Sequence, residues 1–273
     1  VTSDYSELFP ESQIVNPFTF SYLQDELAFY GPITPSKTGK ISFDTTTASG
    51  IMRDYLNKNW HEITLPIPRL KIGKTVFMSI TPMEVQSLYL PIYEAAYDVY
   101  TGGLGLGYFA LRAAAKEEVD RVIVYETDQR IINWFQKQFA SRPELSKIEI
   151  RHADILEALR QEEIDTAEYV FNDIYPRMNT TAAIDHYCEF KPRYEGYRFW
   201  CMESVLLDAD VTHGLNIGFV PPHFRKFFSY WNQTTVAEAT GDTSGAYNSI
   251  TLSQLYESLW TQQDCERFLE HWF

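Results

Sequence analysis

The stretch Asp98–Leu111, DVYTGGLGLGYFAL, decides how the rest of the chain is read. Four glycines, Gly102, Gly103, Gly105 and Gly107, fall within six residues. An apolar run precedes them, and a helix-forming run, YFALRAAAKEEV, follows. Glycine accepts positive φ and has no side chain. Such a segment between strand and helix is therefore either a tight turn or a place where a ligand approaches the main chain.

Downstream, strand-like and helix-like segments alternate. AAYDVYT, RVIVYETD, IEIRHAD and AEYVFNDIYP read as strands, and QRIINWFQKQFA and ILEALRQEE as helices. This order predicts a parallel sheet with helices on both faces. After Pro176 the segments AAIDHYCEF and YRFWCMESVLL read as helices and GLNIGFV as a strand. TTVAEAT and YNSITL read as an antiparallel hairpin, and LSQLYESLW and QQDCERFLEHW as C-terminal helices.

Upstream, KISFDTT, HEITLPI and KTVFMSI predict a small β-rich region whose pieces Pro66 and Pro68 bracket. Thr81, Pro82 and Glu84 carry the pattern of a capping box with a proline start, and Pro91 is expected to kink or end that helix. The organisation predicted is a β-rich region over residues 1–80 and a Rossmann-like α/β domain with C-terminal helices over 81–273.

The 273 residues are 45% hydrophobic and 15% aromatic, enough for one large domain or one domain with an appendage. A net charge of -14 disfavours duplex nucleic acid as a partner. Lys191, Arg193, Arg198, Arg225 and Lys226 read as solvated charges. Cys188, Cys201 and Cys265 form no CxxC pair and read as reduced thiols, and the histidines form no HExxH signature. No apolar run approaches the roughly 20 residues of a membrane-spanning helix, and no secretory pattern opens the sequence. The expectation is a cytoplasmic protein with no metal and no membrane contact. Nothing in the sequence fixes an oligomeric state.

In a parallel sheet of this kind, ligands bind at the carboxyl ends of the strands. Glu126 ends the strand after the glycine turn, where a carboxylate can accept ribose hydroxyls. Asp154 ends the next strand, either beside an adenine or as the N-cap of ILEAL. Asp128 is placed to cap the helix after Glu126. Two cofactors fit: Gly105, Gly107 and Ala110 satisfy the dinucleotide pattern GxGxxA, and Gly103, Gly105 and Gly107 satisfy GxGxG, which suits S-adenosylmethionine.

The ordered set YTGGLGLGYFAL, VYETD, HAD and VFNDIYP resembles the class I S-adenosylmethionine-dependent methyltransferase fold over about residues 80–220. More narrowly, FMSITPME, GGLGLG and NDIYP resemble uncharacterised methyltransferase-like proteins of phages and bacteria. The resemblance implies S-adenosylmethionine as cofactor. It sets Gly103, Gly105 and Gly107 against the methionine and ribose, Glu126 on the ribose hydroxyls, and Ala153 and Asp154 at the adenine. Thr101, Gly102, Thr127 and Asn172 complete the expected cofactor set. Thr101 departs from the pattern, because an acid often stands there to meet the cofactor's ammonium; Asp173 is a candidate substitute. The chain also resembles the spermidine synthases, more distantly. That family has a DxxDP-like fourth motif where this chain has Asn172–Pro176.

The function implied is methyl transfer to an unidentified small-molecule or protein acceptor. The alternatives are aminopropyl transfer from decarboxylated S-adenosylmethionine, and cofactor binding without catalysis. Asp173 and Tyr175 are the candidate catalytic residues. Asp173 would orient an acceptor or take its proton, and Tyr175 would form an aromatic wall or donate a hydrogen bond. NDIYP lacks the prolines of an NPPY motif, which sets base N-methylation low. His186, Arg193, Tyr194 and Tyr197 are candidates either for acceptor contacts or for a lid without chemistry.

Overall fold

The computed structural model describes residues 9–57, 60–166 and 168–272. A helix over Phe20–Tyr30 opens on Thr19, whose side chain accepts from the Tyr22 N–H, and closes at Gly31 with φ 78°. An antiparallel sheet follows: β1 (Ser36–Thr38), β2 (Ile41–Arg53), β3 (Trp60–Ile72) and β4 (Thr75–Ser79), paired in chain order. Pro66 and Pro68 lie inside β3 and do not bracket it. They pair with Thr47 and Thr45 of β2, and β4 joins β3 only from Arg69 onward. The prolines thus sit where β3 has a single neighbour, the position in a sheet that tolerates a missing N–H. Residues 1–8 of the N-terminal region lie outside the described residues.

The second sheet is parallel: β5 (Tyr97–Gly102), β6 (Val119–Tyr125), β7 (Ile148–Arg151), β8 (Tyr169–Asn172) and β9 (Tyr197–Phe199). Its order is β7-β6-β5-β8-β9. Val122, Ile123 and Val124 are all fully buried, as expected of a strand covered on both faces. Helices over Tyr108–Ala114, Gln129–Gln138, Ile155–Arg160 and Thr181–Phe190 make the crossovers. The chain lays down β5, β6 and β7 towards one edge, then returns to place β8 and β9 on the other side of β5. This is a Rossmann-like, doubly wound α/β arrangement, and its strand order reverses between β5 and β8.

The N-terminal helix and the antiparallel sheet are tied to the turn and helices of the parallel-sheet half by specific contacts. Phe43 of β2 stacks on Trp134 with ring centroids 3.8 Å apart. Tyr30 donates to the Leu106 carbonyl at 2.7 Å, and Glu26 accepts from Tyr108 and pairs with Arg112.

Several local expectations give way. Thr81 stands at the N-cap and Pro82 opens the helix over Pro82–Ser87, but no side-chain cap forms. The break falls at Leu88, and Pro91 lies in the first turn of the next helix, Tyr89–Glu94, where its missing N–H costs little. YRFWCMESVLL splits into β9 and a helix over Met202–Leu207, hinged at Cys201 with φ 65°. GLNIGFV forms no strand. In place of the hairpin there is a helix over Val236–Thr240 with a complete Thr235–Glu238 capping box, and only one bridge, Thr235 to Thr251. LSQLYESLW forms a short 3-10 turn over Leu252–Leu255, and QQDCERFLEHW holds the helix Gln262–Leu269. Arg198 is no solvated charge: it lies in a buried ion pair with Glu94, which also meets His223. Among the described residues no helix is long and apolar enough to cross a membrane.

Candidate functional site

The reversal point brings two turns side by side. Gly102 and Asn172 are register partners at the ends of β5 and β8, and the Asp173 N–H donates to the Gly102 carbonyl at 3.0 Å. Both turns face a cavity of about 460 Å³. This size suits a small-molecule ligand. Its lining comes from three directions. Gly103, Leu104, Gly105, Glu126, Thr127, Asp128, Ala153 and Asp154 come from the ends of β5, β6 and β7. Asp173, Ile174, Tyr175, Pro176 and Trp200 come from the ends of β8 and β9. Val76, Phe77, Met78 and Ser79 of β4, with Thr81, Met83 and Glu84, close the third side.

The glycines divide into two roles. Gly103 and Gly105 line the cavity at φ 86° and 52°. A Cβ on Gly103 would lie 2.6 Å from the Asp173 carbonyl oxygen, and one on Gly105 would lie 2.4 Å from Met78 Sδ. Gly102 and Gly107 do not line the cavity. A Cβ on Gly102 would meet Ile155 at 2.5 Å, and one on Gly107 would meet the Phe135 ring at 2.1 Å. These two glycines serve packing.

Glu126 is buried, and each of its carboxylate oxygens accepts a backbone N–H. Leu104 donates to Oε2 at 2.9 Å and Asp128 to Oε1 at 2.8 Å. Each oxygen keeps further acceptor capacity for a ligand hydroxyl. Asp154 is the N-cap of its helix, accepting from the Leu156 N–H at 2.8 Å, and it also lines the cavity. Asp128 likewise caps the helix after β6, accepting from the Arg130 N–H.

Thr101 and Asn172 stand apart from the cavity. Thr101 is buried with Oγ1 unpartnered, and it does not line the cavity. Asn172 is buried, and its amide donates to the hydroxyls of Tyr175 at 3.1 Å and Tyr197 at 2.9 Å. The Tyr175 hydroxyl also meets His186 Nδ1 at 3.1 Å. Burial holds His186 below its ordinary pKa and, with Tyr197 nearby, raises that of Tyr175. The Tyr175 hydroxyl thus sits between the Asn172 amide, the Tyr197 hydroxyl and the His186 ring. Tyr175 therefore gives the cavity its ring, while its hydroxyl is engaged in that network. His186, Tyr194, Tyr197 and Arg193 do not line the cavity: Tyr194 donates to the Leu159 carbonyl, and Arg193 pairs with Glu162.

Glu84, Met78 and Trp200 are contributors that sequence reasoning missed. Burial pushes Glu84 up to about 8. Burial, and then the charge of Glu84, raise Asp173 well above the usual carboxylate range. Asp173 stays partly exposed to the cavity. Trp200 is anchored by its indole N–H on Ser87 at 2.8 Å. Met78 Sδ accepts from the Leu106 N–H at 3.3 Å, joining β4 to the glycine turn. The segment FMSITPME holds Met78 and Glu84, but nothing in its pattern says that both face a ligand. Among the described residues no group of His, Cys, Asp and Glu could hold a metal ion.

No protein-family model and no curated protein matches the chain. Among solved structures, the chain is similar to a candidate O-methyltransferase from Klebsiella pneumoniae, at 16% identity and a TM-score of 0.31. That likeness covers 55% of this chain and 66% of the other, just under two thirds of its length. The chain is also similar to spermidine synthase from Thermotoga maritima, at 12% identity and a TM-score of 0.34, covering 88% of this chain and 84% of that one. Neither likeness bears on individual residues or on the reaction.

Proposed function

We propose that the protein is an S-adenosylmethionine-dependent methyltransferase acting on a small-molecule or protein acceptor. One observation carries the reading: a glycine-rich turn and Asp173 lie side by side at the reversal point of the parallel sheet and face one cavity. The residues present fit the cofactor. Gly103 and Gly105 bring bare backbone to the cavity wall, with Asp173 and Met78 packed too close for any side chain there, and Glu126 offers acceptor capacity beside them. Glu126 and Thr127 would hold the ribose, and Ala153 and Asp154 would border the adenine.

When bound, the cofactor supplies an electrophilic methyl group on sulfonium. The chain's own work is to orient the acceptor, exclude water and manage one proton. Asp173 is the group that receives the acceptor's proton. Burial, and then the charge of Glu84, favour its protonated form, so Asp173 takes that proton through its ionised fraction, which is a stronger base than an exposed carboxylate. The Tyr175 ring and Trp200 form apolar walls that keep water from the reacting end.

The test is calorimetric titration with S-adenosylmethionine, S-adenosylhomocysteine and NAD, followed by mass spectrometry of products. Binding of the first two without NAD, and turnover to S-adenosylhomocysteine with an acceptor, is the expected result. A response to NAD alone would sink the reading. Product formed only from decarboxylated donor and an amine would assign aminopropyl transfer, and binding without turnover would assign a binding protein.

A further inference from the structure

Two acids face the cavity without a counter-charge. Glu84 is 5% exposed, lines the cavity, and has no hydrogen-bond partner for Oε1. Asp173 lines the same space, within electrostatic reach of Glu84. Other buried acids of this chain are satisfied from within. Glu26 has Arg112 and Tyr108, Glu94 has Arg198 and His223, and Asp208 accepts from the Leu259 and Trp260 N–H groups. Among the described residues no ion pair reaches Glu84 or Asp173. A buried carboxyl left without a partner carries a desolvation cost. The protein bears that cost at Glu84, on a cavity wall that Asp173 shares.

The other acids around the cavity are engaged. Glu126 and Asp154 already accept backbone N–H groups, and the end of β5 supplies only Thr101, whose hydroxyl does not line the cavity. We propose that Glu84 and Asp173 form a carboxyl pair that takes the ammonium group of a bound alkylammonium ligand. Its hydrocarbon stem meets Trp200, Met83 and Ile174, which line the same space. An aromatic ring such as Trp200 also favours a nearby cation. Two carboxyls fall short of the six or more oxygens that a calcium-like ion demands, whereas an ammonium carries three N–H donors that they can accept. The shifted titration of both acids fits a pair kept largely neutral until a cation arrives.

This inference rests on the proposed donor site only for the origin of the ammonium, which is either the donor's own amino group or that of an acceptor. Four probes separate these: S-adenosylhomocysteine, 5′-methylthioadenosine (the same nucleoside without the ammonium), n-butylamine and n-butanol. Each is titrated calorimetrically into the wild-type protein and Glu84→Gln. If the pair holds the donor's ammonium, the variant binds S-adenosylhomocysteine roughly ten- to hundredfold more weakly and 5′-methylthioadenosine unchanged. If it holds an acceptor's, the variant loses the preference for n-butylamine over n-butanol and binds both nucleosides as before. Glu84→Asp, which keeps the charge, should recover part of either loss, and an unchanged urea midpoint shows that each variant is folded. Equal affinity of wild type and Glu84→Gln for both ammonium-bearing probes overturns the pair. Failure of both nucleosides to bind wild type overturns the proposed function instead, and the n-butylamine arm then decides the pair alone.

Discussion

Glu126 offers the sharpest test of the site, because the structure gives it a structural load beside its proposed ligand role. Its two oxygens accept the Leu104 and Asp128 N–H groups at 2.9 and 2.8 Å. Glu126→Ala removes both acceptors. A buried N–H left without an acceptor costs about 1–3 kcal/mol. Leu104 is 5% exposed and bears most of that cost, while Asp128 lies nearer the surface, where water can replace the lost oxygen. The sum is about 2–4 kcal/mol, a fall of about 1 M in the urea midpoint for a chain whose m-value lies near the upper end of the common range. Glu126→Gln is the more discriminating variant. Its amide keeps one acceptor and sets an NH2 against a backbone N–H, so it should still lose about 1–3 kcal/mol. Urea unfolding followed by tryptophan fluorescence, beside a binding titration, reads both quantities. A side chain that touched only a ribose would abolish binding in both variants and leave both midpoints where they were. That result would refute the bracing role.

Gly107→Ala should destabilise by about 3 kcal/mol or more in urea unfolding, since its φ of 77° strains an alanine and its Cβ would lie 2.1 Å from the buried Phe135 ring; a loss under about 1 kcal/mol would show that the ring yields. Thr101→Val replaces a buried, unpartnered hydroxyl, so it should leave stability unchanged or raise it by about 1 kcal/mol without touching cofactor affinity; weakened binding would return Thr101 to the ligand. Glu84, raised by burial from 4.5 to about 8, holds a proton in the folded state that the unfolded chain releases. Stability should therefore fall by about 1 kcal/mol per pH unit as pH rises through that window. Glu203, which burial pushes up to about 7, adds a fall of the same sign. Melting temperatures from pH 5 to 8 check this, and Asp173→Asn should flatten the slope; a Tm that climbs across that range would contradict it.

The sheet and its reversal point were legible because they rest on period and punctuation: apolar runs of strand length, helix formers between them, and glycines where β5 ends. The losses came where tertiary contacts outweigh local pattern. Thr81–Glu84 and Thr235–Glu238 carry the same four-residue capping pattern. The second forms a full box at the surface, while in the first the glutamate is drawn into the cavity and the cap never closes. No local rule separates the two. β9 was hidden because its three residues run straight into a helix, and the hinge between them is Cys201 at φ 65° with no glycine to mark it. Within the site, Gly103, Gly105, Glu126, Asp154 and Asp173 at or just past strand ends could be placed at the cavity from sequence, whereas the strand-end residues Thr101 and Asn172 turn out to stand apart from it. Glu84, Met78 and Trp200 could not be placed, because they reach the cavity from segments with no pattern of their own. Nor could sequence separate the glycines that face the cavity from Gly102 and Gly107, whose neighbours Ile155 and Phe135 lie far along the chain.

Met78 joins the two sheets through a thioether, a weak acceptor, at the Leu106 N–H. The wall that β4 contributes is therefore held to the glycine turn by a soft joint, while the glycine turn itself is fastened by a carboxylate at Glu126. One side of the cavity is cheap to redraw and the other is not. Variation confined to Val76–Ser79 can reshape what the cavity admits without disturbing the opposite wall, so a lineage carrying this fold has a ready route to new ligands through a hairpin strand of five residues.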